Sequence, residues 1–321
     1  MKILLFYALA ATFFGCSMET QGAKTKLIPL KKVLVVFSSA SEIIVNLDKE
    51  GSAEHSHRTG FFLPELMTPL QMLIENGYQP TYASPQGTSP VLDKVSDSPF
   101  FYKGDRAEHR KAKGYCIKLG ICSASSAVGK LKTLRLEDVI AEGLDQYKAV
   151  LFPGGHAPMA DLYKDKSVSM VLKHFHEYQK PTALICHAPV ALLATISNPS
   201  DFGSTLEKLN ESLAKGLADD AAMQSQKLND LRQNWIYKNY KLSVFTTSEE
   251  IEEEPGGNDD ILGGYVKFYP DQALEIAGAK VQRAANWKSQ VVRDRELLTG
   301  QNPFSDREFA EKLMAMLNEK K

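Results

Sequence analysis

A short apolar run that ends on a cysteine and then a histidine constrains this chain most: Lys180-Pro181-Thr182-Ala183-Leu184-Ile185-Cys186-His187-Ala188-Pro189. The residues from Thr182 to Ile185 predict a buried strand of a parallel sheet, because the run is short, apolar and introduced by proline. Pro189 suits the first turn of a helix, and Val190 to Ala194 continue it. Cys186 is thereby placed at a strand-to-helix corner, where the positive end of the helix dipole and free backbone N–H groups favour thiolate over thiol. His187 beside it can take or supply a proton. A lone cysteine in an apolar run is ordinarily a small core residue. A thiol next to a base at such a corner points to nucleophilic chemistry instead.

The chain of 321 residues is 43% hydrophobic and 24% charged, enough for a sizeable globular core. A formal net charge of -1, with no basic face interleaved with aromatics, points away from a nucleic-acid partner. Lys2, the apolar stretch from Ile3 to Phe14 and Gly15-Cys16-Ser17 have the pattern of an export signal. Cys16 directly after Gly15 resembles the cleavage box of bacterial lipoproteins. The expectation is an exported protein, periplasmic or tethered to a membrane through a lipidated Cys16, with plain secretion as the rival. Residues 1–23 are set apart as signal and tether, and 31–321 are expected to form one domain. Cys116 and Cys122 could close a small disulfide loop in an oxidising compartment. Their spacing is too loose for a zinc knuckle, and no metal site is expected.

Lys31 to Ser39 predicts the first buried strand, whose carboxyl end should face a site. A polar loop with His55, His57 and Arg58 leads to a helix in which Leu66, Leu70, Leu73 and Ile74 share one face and Gly77 is the stop. Glu65 lies near its start, where a carboxylate would complement the dipole. Gln79 to Ala83 predicts a second strand. The pattern then dissolves into an irregular excursion, an insertion near 97–135. It returns at Asp145 to Phe152, a strand running into Pro153-Gly154-Gly155-His156, where glycines let the backbone approach a ligand and present an N–H. A helix from Lys166 to Tyr178 precedes the Cys186 strand, so strand and helix alternate as in a parallel α/β sheet. The polar stretch near 198–235, with Leu206, Leu209, Leu213 and Leu217 as a stripe, predicts exposed helices of a second insertion. Lys241 to Glu250 predicts a strand ending in a pair of acids. A helix from Asp271 to Ala277, a strand near Gln290 to Arg293 and a last helix from Ser305 to Asn318 complete the domain.

In this order and spacing, Lys32 to Ser38, Glu65 in its Thr-Gly-led helix, Phe152-Pro153-Gly154-Gly155-His156, Ile185-Cys186-His187-Ala188-Pro189, Phe245-Thr246 and Leu298-Thr299-Gly300-Gln301-Asn302-Pro303 resemble the DJ-1/PfpI superfamily. More narrowly, they resemble its branch of heat-shock chaperones with glutathione-independent glyoxalase III activity. The resemblance implies a flavodoxin-like three-layer α/β sandwich, mainly parallel, with a nucleophile-elbow cysteine and a Cys-His-acid triad. Cys186 matches the nucleophile, His187 the base and Glu65 the buried glutamate that touches the thiol, as a protonated donor. The acid lies five residues after the phenylalanine that ends the next strand, which lands on Glu250, with Glu249 the near alternative. The N–H groups of Gly155 and His187 match the oxyanion hole. Ala188 stands where glycine is common, and Phe62 where a metal-binding relative would carry histidine.

The function so implied is conversion of methylglyoxal to lactate without glutathione or another cofactor, a lyase of the D-lactate dehydratase type, or a related deglycase-type activity. The partner would be a small carbonyl substrate, and the chain could form a homodimer. A stress chaperone or redox sensor in which Cys186 is oxidised is the rival. Amidase, peptidase or glutamine amidotransferase chemistry is opposed by the Leu184-Ile185-Cys186-His187-Ala188 frame, which lacks the glycines amidotransferases use around the nucleophile.

Overall fold

The computed structural model of the protein describes residues 31–122 and 131–319. The expected export signal and Cys16 fall in residues 1–30, outside the described residues. In chain order the strands are β1 (Lys31–Val36), β2 (Glu42–Asn46), β3 (Glu54–Arg58), β4 (Tyr78–Ser84), β5 (Leu134–Arg135), β6 (Tyr147–Phe152), β7 (Thr182–Ile185), β8 (Lys241–Leu242), β9 (Lys280–Val281), β10 (Val291–Asp294) and β11 (Leu297–Gly300). The α-helices are α1 (Leu63–Glu75), α2 (Arg106–Lys118), α3 (Leu136–Glu142), α4 (Lys166–Glu177), α5 (Pro199–Ala214), α6 (Ala218–Leu231), α7 (Thr247–Glu253), α8 (Pro270–Ala277) and α9 (Asp306–Asn318).

Seven strands make one sheet in the order β10-β11-β7-β6-β1-β4-β5. Neighbours run parallel except β10, which is antiparallel to β11. Successive side chains of a strand point to opposite faces, and the core divides accordingly. Leu34, Val36, Val150 and Phe152 pack with α3, α4, α5 and α8 on one face. Val33, Val35, Ala149 and Leu151 pack with α1, α2 and α9 on the other. The result is a flavodoxin-like three-layer α/β sandwich: the alternation of elements predicts its mainly parallel sheet, and the resemblance to the DJ-1/PfpI superfamily its layered form. Strands buried on both faces read as continuous apolar runs, which explains why β1, β6 and β7 stand out in the sequence. Their carboxyl ends converge on one edge, where Ser38, Gly154 and Cys186 follow β1, β6 and β7.

Several stretches fold differently from expectation. The polar loop carrying His55, His57 and Arg58 is an antiparallel hairpin of β2 and β3, tied to the body by a bridge between Asn46 and Tyr265. The excursion near 97–135 contains α2, and Cys116 and Cys122 form a disulfide at its end. In the stretch 198–235, α5 and α6 bury Phe202, Leu206, Leu209 and Leu228, while Leu213 and Leu217 stay exposed. Trp235 anchors its far end by donating from Nε1 to the Leu192 carbonyl at 3.0 Å. This stretch therefore completes the core as much as it covers it. The expected strand from Lys241 to Glu250 is only the two residues of β8, and its acids lie in α7.

Phe152 is fully buried in β6 at the centre of the sheet. Phe152→Ala is expected to lower stability by about 3–5 kcal/mol through lost burial and an unfilled cavity, measured by chemical denaturation. A loss below about 1 kcal/mol would contradict this packing.

Candidate active site

The site begins with backbone geometry. Cys186 has φ +61°, the left-handed region that side-chain-bearing residues seldom occupy and that marks strained functional positions. Two bonds hold it there: its N–H donates to the Gly300 carbonyl and its carbonyl accepts from the Phe245 N–H, both at 2.9 Å. The end of β11 and the segment after β8 thus clamp the corner from one side. The helix expected next is a 3-10 helix, Ala188–Thr195, wholly buried in the core. Its dipole does not govern the sulfur. Burial pushes the Cys186 thiol well above its ordinary value, charge on Glu65 would push the same way, and only the Gly155 N–H works against them. The resting sulfur is a thiol, contrary to the expectation of a thiolate.

Beside the thiol, Cys186 Sγ lies 3.1 Å from His187 Nδ1. His187 Nε2 donates to Glu250 Oε2 at 2.9 Å, and the second oxygen of the same carboxylate, Oε1, accepts from His156 Nε2 at 2.7 Å. The two imidazoles lie 4.0 Å apart and Phe245 stacks on His187. Glu253 Oε2 is 3.6 Å from His156 Nε2. Burial would raise Glu250, but the charges and hydrogen bonds of His156 and His187 hold it down to about 2. Burial would lower His156, but the Glu250 carboxylate raises it to about 9. His187 is lowered to about 4 by burial and by the neighbouring His156 charge. At neutral pH the proton therefore sits on His156, Glu250 is ionised, and His187 is a neutral ring whose Nδ1 can accept the thiol proton.

Glu65 also faces the sulfur, fully buried in the first turn of α1. Burial raises its pKa to about 8, against the influence of the thiol and the Gly154 N–H, and neither carboxyl oxygen has a partner in full hydrogen-bond geometry. It is a protonated acid facing Cys186, not the dipole-complementing carboxylate its position suggests. The glycine pair after β6 makes the approach possible. A Cβ on Gly154 would come within 2.5 Å of Glu65 Oε2 and 2.6 Å of Cys186 Cβ. Gly155 has φ +90° and would meet the Gly60 carbonyl at 2.1 Å, and its own N–H points at the Cys186 sulfur.

The structure thus brings Cys186, His187, Glu250, Glu65 and Gly155 to one point, and separates the two adjacent acids. Glu249 turns away: it forms a capping box with Thr246 and accepts from the Trp287 N–H at 2.9 Å and from Asn302 Nδ2 at 2.7 Å. His156 and Glu253 are the members that sequence reasoning missed. His156 stands inside the Gly154-Gly155-His156 motif, but its partner comes 94 residues later. The ligand atoms of His156, His187 and Glu250 lie within 4.8 Å of one another, a spacing a metal ion could use, and each is hydrogen-bonded within the trio.

Two stability measurements follow. Glu249→Ala is expected to cost about 2–4 kcal/mol, since it strips buried donors of their acceptor; thermal denaturation equal to wild type would contradict it. Glu65 is raised in the folded protein from 4.5 to about 8, so its stabilising contribution is complete below about pH 4.5 and is lost as pH rises through about 8. Chemical denaturation across pH 5 to 9 should show a shallower decline in Glu65→Gln than in wild type, with Glu253, also raised to about 8 by burial, and His156, raised to about 9, leaving a residual slope. Identical slopes would contradict the assignment.

Comparison with known proteins finds relatives over most of the chain. Residues 58–201 match the model of the DJ-1/PfpI family. The chain is 24% identical over 277 residues to the protein/nucleic acid deglycase HchA of Pseudomonas aeruginosa, covering 86% of this chain and 77% of the relative. It is 25% identical to the protein of the same name from Staphylococcus aureus, over 87% of this chain and 77% of that one. Its fold is similar to that of Rapid Encystment Protein 24 kDa of Francisella tularensis (TM-score 0.57, 21% identity, 90% of this chain and 100% of that one). It is also similar to that of glyoxalase III from Candida albicans (TM-score 0.54, 19% identity, 90% of this chain and 98% of that one). Residues 58–201 are thus a DJ-1/PfpI family segment, and the sheet order around it is consistent with the fold of that family.

Proposed function

We propose that the protein is a cysteine-dependent enzyme acting on small reactive carbonyls, with Cys186 as nucleophile and conversion of methylglyoxal to lactate without glutathione as its reaction. The observation that carries the reading is the buried line from Cys186 Sγ through His187 to Glu250, at 3.1 and 2.9 Å. The relatives named deglycase, with which the chain shares most of its length, support carbonyl chemistry of this class.

As the sulfur attacks the aldehyde carbon, its proton passes to His187 Nδ1, and the imidazolium that forms is stabilised by Glu250. The Gly155 and His187 amides hold the developing oxyanion, which takes a proton to complete the hemithioacetal. The hydrogen on that carbon then leaves as a proton to give an enediol, and a proton returns to the adjacent carbon, leaving a lactoyl thioester. Glu65, protonated and facing the sulfur, is placed to donate, and His187 to accept. Water cleaves the thioester, releasing lactate and the thiol. The sum is methylglyoxal plus water to lactate, with no external oxidant or reductant.

Purified protein should release lactate from methylglyoxal without added thiol. Cys186→Ala should lower kcat by about a thousandfold or more, as loss of a covalent nucleophile does. The rate should rise as His187 loses its proton near pH 4 and fall as Glu65 ionises near pH 8, with the alkaline limb displaced in Glu65→Gln. Equal turnover by Cys186→Ala would overturn the reading.

A further inference from the structure

A cavity of about 390 Å³ lies between the β2–β3 hairpin, residues 91–95 and Ile261. Thr59, in its lining, donates to Asp93 Oδ2 at 3.0 Å, and the charge of Asp93 is felt at Glu65, His156 and Glu253. His57, in the wall, has its pKa lowered by burial and then by the charge on His156. Gly60, which follows Thr59 in the chain, packs its carbonyl on Gly155, whose amide points at the Cys186 sulfur. The volume falls in the range that holds a small molecule.

The charges around this cavity are unequal in their commitments. Its two acids are already engaged: Asp93 accepts from Thr59 and from the Val95 N–H, and Glu42 accepts from the Ser56 hydroxyl at 2.6 Å. Its two cations, Arg58 and Lys94, line the same space. Glu42 lies across the ladder from Arg58, but its carboxylate turns to Ser56, and neither cation has a carboxylate partner among the described residues. An unpaired guanidinium beside an ammonium is suited to a carboxylate or a phosphate, and a concave wall concentrates the field of such charges.

We propose that this cavity is an anion-binding vestibule of the cysteine site: Arg58 and Lys94 hold the carboxylate or phosphate of a small carbonyl compound whose aldehyde end is delivered to Cys186. The proposal rests on Cys186 being the reacting group, and it extends the substrate class from neutral dicarbonyls such as methylglyoxal to carbonyl compounds that carry an anionic group.

Two alkylating probes that differ in charge test it without relying on turnover. Iodoacetate and iodoacetamide would be reacted with wild type, Arg58→Gln, Lys94→Gln and the double variant at low ionic strength, following the Cys186 peptide by mass spectrometry. The ratio of the iodoacetate to the iodoacetamide rate constant is expected to fall about tenfold in the double variant, with intermediate values in the singles and partial recovery in Arg58→Lys. Inorganic phosphate and acetate, added separately, should slow iodoacetate labelling of wild type and not of the double variant, and the stronger protector identifies the preferred anion. A ratio within about twofold of wild type, or no protection by either anion, would overturn the proposal. Absence of lactate formation from methylglyoxal would instead count against the proposed reaction, while the labelling ratio still decides the vestibule.

Discussion

Glu250 is a fully buried carboxylate whose two oxygens are each hydrogen-bonded to a different imidazole, and the charge state of the site depends on that arrangement. A buried charge is tolerated only with close, well-aligned partners. Here one partner, His156, carries the compensating charge, and the other, His187, is thereby left neutral and oriented. The pairing turns two residues of the same type into two different groups: a fixed cation and an available base. Glu253 and Glu65, both raised toward neutrality by burial, add no net charge at neutral pH. The cluster can therefore sit within the fold without an uncompensated ion.

The backbone complements this electrostatics. Cys186 is held in a left-handed conformation by bonds from two separate segments, at Gly300 and Phe245, so its sulfur is aimed by elements that meet only in the folded sheet. The segment after β8 does two tasks at once. Phe245 clamps the cysteine carbonyl and stacks on His187, and one turn later Glu250 meets both imidazoles. Glu249 ties the same helix to Asn302 and Trp287, so the acid that serves the site is positioned by the acid that does not.

The central sheet was legible because β1, β6 and β7 are apolar runs buried on both faces, and the corner because proline, cysteine and histidine fall at its strand end. The hairpin was not legible: the Glu54-His55-Ser56-His57-Arg58 strand is polar on both faces and offers no alternation in hydrophobicity. Val244-Phe245-Thr246 reads as a strand by composition, yet the capping box of Thr246 and Glu249 is a local signal for a helix start and would have corrected the reading. The choice between Glu249 and Glu250 rested on a residue spacing in the sequence. In space it follows from the helix, which turns neighbouring side chains to different directions. The thiol's environment could not be read from the corner alone, since burial and Glu65, 121 positions earlier in the chain, outweigh any dipole. His156 was visible as a motif residue, but its role depends on the fold bringing it to the acid.

The division of labour between the two imidazoles is the central claim, and NMR titration of their ring nitrogens tests it most directly. With His156 and His187 assigned by His156→Gln and His187→Gln variants, the His156 ring should be doubly protonated at pH 7 and titrate near 9, while His187 stays neutral, protonated at Nε2, down to about pH 4. A neutral His156 at pH 7, or a charged His187 there, would contradict the account.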